Sequence, residues 1–503
     1  MNLKPLCCLV VSVFTALTPI SAAYSQSYNL PDLGAAGGST LSPLEERQIG
    51  EHIMGEVRSD PTYLPDPETS EYLNKIGYRL VSAGPANGYS YNFFAVRDPS
   101  INAFALPGGF IAIHTGLVTA ARSESELASV MGHEIAHVQQ RHIARMLEGQ
   151  KNNLAWTLGS LLVAILAARA GSGDGAAAAV VGTQAAMAQN YLSFSRNAER
   201  EADRVGYASL VRAGFDPKGM EQFFDRLDFN NRVYEGAHAA PAYLRTHPMT
   251  VERMSEAQNR SRLSKKVNYK DSLDFFLIQA RLRVLESNRF QGWDDALQYF
   301  RNDLKTAKGY QAVADHYGCA VALQRMKKYS EALTEIETAR KMAGQNSNII
   351  SKLHSSNIIS KLHSELVFLS SPSQQSRGIQ LAKQNYDRNP LSQLALLNYA
   401  ELLYKGKQYN EVIKLMRKQH ALNSRTPAYQ SILGRTYEAL GKKSLSHQAI
   451  GEMYALNGQK VAAIQQFQIA QRSNDGDFYT MSEIDARLRE LRKQVEDDKK
   501  YEN

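Results

Sequence analysis

The sequence predicts a mainly α-helical protein in two parts: an α+β domain with a small sheet, then an all-α solenoid of stacked helix pairs. Three observations predict it. Strand-like alternation is confined to the first half, at Tyr91–Val96 and Gly109–His114. Beyond Tyr269, helical runs of about 12–16 residues alternate with short turns. Between the two, residues 261–269 (SRLSKKVNY) are polar and basic and mark a boundary. The domains are therefore set at 41–262 and 269–496, with a charged tail at 497–503.

At the amino terminus, Lys4 precedes an uncharged apolar run from Leu6 to Leu17, followed by the small residues Ser21, Ala22 and Ala23. This pattern reads as a secretory signal peptide over 1–25, cleaved after Ser25 or Ala23. The apolar run is too short to span a bilayer. Cys7 and Cys8 leave with it, so the mature chain keeps only Cys319 and forms no internal disulfide. An exported chain of this size without disulfides fits a bacterial periplasm. Residues 26–40 are rich in Gly, Ala and Ser and read as a flexible arm.

A first helix is expected over Leu44–Arg58 and, after a Pro-rich turn at 61–67, a second through Leu73, Ile76 and Leu80. The two strands follow, with Gly108-Gly109 as a turn before the second. An open edge on the 109–114 strand would let an extended peptide add as a further strand. His114 is expected to be structural.

Ser123-Glu124-Ser125-Glu126 has the form of a capping box, and Leu127, Val130, Met131 and Ile135 give the next helix an apolar face. That helix carries His133-Glu134-Ile135-Ala136-His137. Histidines four apart project from one face and can share a zinc ion, with Glu134 placed to take a proton from water. Such a zinc needs a third protein ligand. Tyr191–Gly206 reads as another helix, with Glu199 and Asp203 on one face. Glu199 offers the ligand carboxylate, and Asp203 can fix the tautomer of a ligand imidazole. The plain alternative is two surface histidines and a solvated charged face at 199–204. His142, one turn past the motif, is expected at the surface. Leu154–Ala168 and Ala176–Ala188 are apolar runs that suggest a helical hairpin, packed on the domain or touching a membrane.

The motif, followed by Ser195-Arg196 and Glu199-Arg-Glu-Ala-Asp203, resembles the gluzincin metalloproteases that include HtpX and the CAAX prenyl endopeptidase. The run Asn102–Gly109 is also similar to that family, where it leads into a strand beside the active site. The resemblance implies a zinc endopeptidase domain in which Glu199 is the third ligand. It implies the same of Thr246-His247-Pro248: in periplasmic members bearing tetratricopeptide (TPR) repeats, a loop histidine there takes the fourth zinc position and holds the enzyme latent. The expected set is thus one zinc ion on His133, His137, Glu199 and His247, with Glu134 as general base and Asp203 supporting. His247 or Arg245 would assist at the oxyanion once displaced.

In the second half, Ile450, Gly451, Tyr454, Ala463, Phe467 and Ala470 fall at TPR spacing. Looser copies hold Ala320, Leu323, Ala332, Ile336 and Ala339, or Ala400, Leu403 and Val412, while Trp293, Ala296 and Phe300 suit a first unit. Gly434 and Tyr437 open a further unit close before Gly451, so the array is irregular. Ser347–Ser355 recurs unchanged at Ser356–Ser364. Nine residues reverse a helix's apolar face, so a lengthened helix or a loop is expected there. Ser482–Lys500 reads as a capping helix.

The formal net charge is +8, or +7 without the leader and its single Lys. No dense basic block interleaved with aromatics occurs, which disfavours nucleic acid and leaves room for peripheral contact with a membrane. Leader, protease domain and repeats together resemble the periplasmic TPR-bearing branch of the family. That resemblance implies unfolded or stalled outer-membrane β-barrel proteins as clients and the β-barrel assembly machinery as a partner of the TPR part. Two other readings stay open: a chaperone or scaffold of that machinery with a mainly structural zinc, and a membrane-embedded protease.

Overall fold

The computed structural model describes residues 41–146, 195–234, 242–345 and 349–502. The expected signal peptide (1–25), arm (26–40), apolar hairpin (154–188) and the start of the Glu199 helix at 191–194 lie outside the described residues. The fold is mainly helical, with one four-stranded mixed sheet in the N-terminal region and stacked helices after it.

Helix α1 (Pro43–Ser59) starts on a full capping box: Ser42 accepts from the Glu45 N–H, and Glu45 accepts from the Ser42 N–H at 2.6 Å. After β1 (Tyr63–Leu64), helix α2 (Pro67–Ala83) begins at Asp66, whose carboxylate accepts from Thr69 N–H. Strands β2 (Asn92–Val96), β3 (Ala103–Leu106) and β4 (Phe110–His114) complete the sheet, in the order β1-β2-β4-β3. β2 and β4 run parallel, while β3 is antiparallel to β4. Every residue of β4 is buried, as befits an inner strand. This corrects the expectation of an open edge on the 109–114 strand. β4 is paired on both sides, and the edges of the sheet are the short β1 and β3.

Short α3 (Thr115–Ala120) leads to α4 (Glu124–Gln139), the helix of the histidine motif. Its cap differs from a capping box. Ser123 accepts from Glu126 N–H, but Glu126 turns to Arg122 N–H at 2.9 Å and to Arg226 at 2.8 Å. A buried guanidinium is a stronger partner for that carboxylate than the capping amide. Helix α5 (His142–Met146) follows at once. Then come α6 (Arg196–Arg212), α7 (Lys218–Tyr234), α8 (Ala242–Thr246) and α9 (Val251–Leu263).

From Leu273–Leu285 (α10) to the terminal Phe478–Glu502 the described chain is helical. Successive helices pack on one another. The small and large residues of the repeats are inside: Ala320, Leu323, Ala332, Ile336, Ala339, Ala463, Phe467 and Ala470 are fully buried. A Cβ on Gly451 would sit 2.7 Å from the Phe467 ring, so glycine there permits the close helix approach. The duplicated stretch forms one helix of 22 residues, Ile349–Ser370. Ile358, Ile359 and Leu362 of its second copy are buried, and the side chains of the first copy lie outside the described residues.

One apolar core runs from Leu41 to Leu394, across both parts of the chain. Buried charge joins them as well. Arg281 on α10 forks onto Asp66 at 2.6–3.0 Å and reaches Glu68 at 3.1 Å, while Lys361 lies 2.7 Å from Glu68. The far end of the solenoid returns to α1. Gly55 and Gly458 meet backbone to backbone, and Arg58 donates to the Leu456 carbonyl at 2.8 Å. Between these attachments lies a groove of about 2320 Å³, lined by α1 residues such as Arg47 and Glu51 and by Tyr429, Leu433, Tyr437 and Arg487.

Candidate metal centre

Two glycines set the geometry. Helices α4 and α6 cross where Gly132 faces Gly206, so closely that a Cβ on Gly206 would lie 2.8 Å from the Gly132 carbonyl. Ala136 and Ala202 pack at the same crossing. Small residues four apart on both helices let the backbones touch, and His133 follows Gly132 directly. Glu199 is thereby carried to the two histidines from a helix more than sixty residues along.

His133, His137, Glu199 and His247 each present an atom within 4.8 Å of the others, and all four are buried. His133 Nε2 lies 3.0 Å from His137 Nε2 and 3.4 Å from Glu199 Oε2. His247 Nδ1 lies 3.3 Å from His133 Nε2 and 3.0 Å from Glu199 Oε1. Donors on a tetrahedral zinc at about 2.0–2.1 Å stand roughly 3.3 Å from one another, so the spacing suits such an ion. The charges suit it too. Both oxygens of Glu134 are buried with no normal hydrogen bond reaching them, and the nearest cation-forming group to Glu134 is the His247 ring at 3.5 Å. A cation and its water are what such atoms need.

Supporting groups fix the rings. Asp203 Oδ1 lies 2.9 Å from His133 Nδ1, which puts the proton on Nδ1 and turns Nε2 toward the centre. Burial opposes a charge on His133, but Asp203 and Glu199 outweigh it and push its pKa up to about 10. Burial likewise opposes ionisation of Glu199, yet the facing imidazoles of His247, His133 and His137 hold it well below the usual carboxylate range. Burial pushes the Glu134 carboxyl up.

His142 departs from the surface position expected of it. Arg141 adopts a left-handed backbone, φ 53°, and is anchored by its ion pair with Glu46. The chain therefore turns sharply and brings His142 behind His137, with Nδ1 atoms 2.8 Å apart and His142 Nε2 3.1 Å from Glu201. Burial, with Arg145 nearby, lowers the His142 pKa to about 4, so the ring is neutral and can accept from His137. His247 is held by α8: its N–H donates to the Tyr243 carbonyl, and the Tyr243 ring stacks on it at 4.6 Å.

Arg253 was not singled out from the sequence. It is 2% exposed, and its Nε and Nη2 grip Asp203 at 2.7 and 2.9 Å. Its Nη1 lies 2.8 Å from both Glu199 Oε2 and the Pro248 carbonyl. No periodicity marks it, because a charged residue in the first turn of α9 looks like any solvated one.

Comparison with known proteins agrees with this arrangement. Residues 67–261 match the model of peptidase family M48. The chain is 31% identical to the beta-barrel assembly-enhancing protease of Escherichia coli (strain K12), over 98% of each protein. It is 32% identical to the putative beta-barrel assembly-enhancing protease of Vibrio cholerae, over 94% of each. The mitochondrial metalloendopeptidase OMA1 of Arabidopsis thaliana is 29% identical over 44% of this chain and 42% of its own.

Proposed function

This chain belongs to the β-barrel assembly-enhancing proteases of peptidase family M48, and on that premise we propose that it is a periplasmic zinc endopeptidase acting on outer-membrane β-barrel proteins that stall or misassemble. The single observation that carries the catalytic reading is the convergence of His133, His137 and Glu199, with Glu134 beside them.

In this reading His133, His137 and Glu199 hold one zinc ion. When bound, zinc supplies Lewis acidity: it acidifies the attacking water and polarises the scissile carbonyl. Glu134 takes the proton of that water and passes it to the leaving amine, and its raised pKa suits a group that must both accept and donate. Asp203 keeps the His133 tautomer. The free edge of β3, whose Ala105 backbone faces Glu134, receives the substrate as an added strand. His247 fills the fourth position and keeps the enzyme latent until its loop withdraws. We read 41–262 as the protease and 269–496 as the TPR part, whose groove offers a mixed polar and apolar wall to the assembly machinery or to an unfolded client. No helix among the described residues is long and apolar enough to cross a membrane.

A second reading has one observation in its favour. Four protein ligands make a closed site, as structural zinc prefers. The protein would then serve as a chaperone or scaffold. Glu134→Gln separates the two. The enzyme reading expects the purified mature variant to keep about one zinc yet lose casein cleavage by at least about 100-fold. Full restoration of barrel assembly by that variant in cells would favour the scaffold.

A further inference from the structure

We propose that Arg253 is a positioning residue that ties the His247 loop to the metal-facing carboxylates, so that loop withdrawal and the seating of Glu199 are coupled. The proposal rests on the latency reading of His247 and extends it.

One guanidinium serves three partners from a fully enclosed position. Two of its nitrogens form a fork on Asp203, at 2.7 and 2.9 Å. The third, Nη1, sits 2.8 Å from Glu199 Oε2 and donates to the Pro248 carbonyl at the same distance. Pro248 directly follows His247, so a grip on its carbonyl is a grip on the loop that carries the plugging ring. The Phe224 ring packs 5.2 Å from the guanidinium carbon, and the Thr250 hydroxyl caps the Arg253 N–H. The side chain is thus held at both ends.

Two consequences follow. Glu199 and Asp203 are buried carboxylates one helical turn apart, and the Arg253 guanidinium lies against both. The same nitrogen fastens the loop. If the loop leaves, Nη1 loses one of its acceptors and can turn fully to Glu199. If Glu199 shifts toward a metal, the hold on Pro248 changes in turn. Lysine cannot replace this, because an ammonium on a flexible stem cannot fork onto Asp203 and reach Pro248 at once.

The test uses the full mature chain carrying Arg253→Lys. Zinc affinity, measured by competition with a chromophoric chelator, should weaken about 10–100-fold. In the zinc-loaded variant, amide exchange over 246–251 should quicken by roughly tenfold or more. Zinc affinity within twofold of the parent, or unchanged exchange in that loop, overturns the proposal. Should the lysine variant not fold, Asp203→Asn must loosen the same loop, since it frees the fork without touching the loop, and unchanged exchange there overturns the proposal equally. His247→Ala is the separate control on latency. If it fails to raise casein cleavage in the otherwise unaltered chain, the plug reading fails, while affinity and exchange still decide the role of Arg253.

Discussion

The chain buries charge in two places, and they are built on opposite rules. At the junction of the sheet-bearing region with the stacked helices, Asp66 and Glu68 face Arg281 and Lys361. Those cations are permanent: although burial opposes it, the carboxylates hold the Arg281 pKa far above its usual value. Asp66 is depressed in return, against its own burial. Charge there is balanced by the protein alone. At the metal centre the positive partners of Glu134 and Glu199 are mainly imidazoles, whose charge is conditional. Arg253 balances only part of it. A balanced buried cluster holds the fold together, whereas one left short of a cation is arranged to receive one.

This contrast can be broken or sharpened by mutation. Glu134→Gln, with its expected loss of at least about 100-fold in turnover, is the largest effect and falls on chemistry alone. Next is Arg281→Met, which strands Asp66 without its main partner and leaves Glu68 with Lys361. It should lower unfolding stability by about 3–5 kcal/mol in urea titrations while the folded protein keeps its zinc. Loss of zinc in step with stability would mean that the two clusters are one. Arg253→Lys is intermediate: it should weaken zinc about 10–100-fold with a smaller cost in stability, as befits a group that belongs to both kinds of cluster.

The smallest effect concerns a third arrangement, in the solenoid. Buried Asp315 faces Asp303 through Gln311, which donates to both at 2.8 and 3.3 Å. Burial and the Asp303 charge push Asp315 up to about 7, with His316 only partly offsetting them. The proton is favoured in the folded state. Its contribution is therefore complete below about pH 4 and lost as pH rises through about 7. Asp315→Asn should match the parent in melting temperature at low pH and exceed it by about 2–4 °C at pH 8.5. Equal destabilisation at both pH values would show that the pair shares no proton.

Legibility in the sequence follows the range of the interactions. The His133–Glu134–His137 spacing and the Glu199/Asp203 pair are local patterns, each on one helix, and could be read directly. His247 was placed only by resemblance, because a histidine before proline in a loop has no pattern of its own. The centre's assembly depends on Gly132 and Gly206, which meet across a gap in sequence that no periodicity bridges. His142 was misplaced because a left-handed residue at Arg141 overrides helical extrapolation. The sheet was half visible. The inner strands β2 and β4 carry long apolar signals, while β1 has two residues and β3 four, too short to stand out. That is why the condition of an open edge was attached to the 109–114 strand, which the structure pairs on both sides. The junction was illegible, since Arg281 lies 215 residues from Asp66 and an arginine in a helix looks exposed until its partner is known.

The most direct test of the central claim is X-ray absorption at the zinc edge on the purified mature protein and on Glu199→Ala. The account predicts one zinc per chain with imidazole and carboxylate ligands at about 2.0–2.1 Å, and its loss or marked weakening in the variant. Zinc retained unchanged without the Glu199 carboxylate, or a shell lacking imidazole, would contradict it.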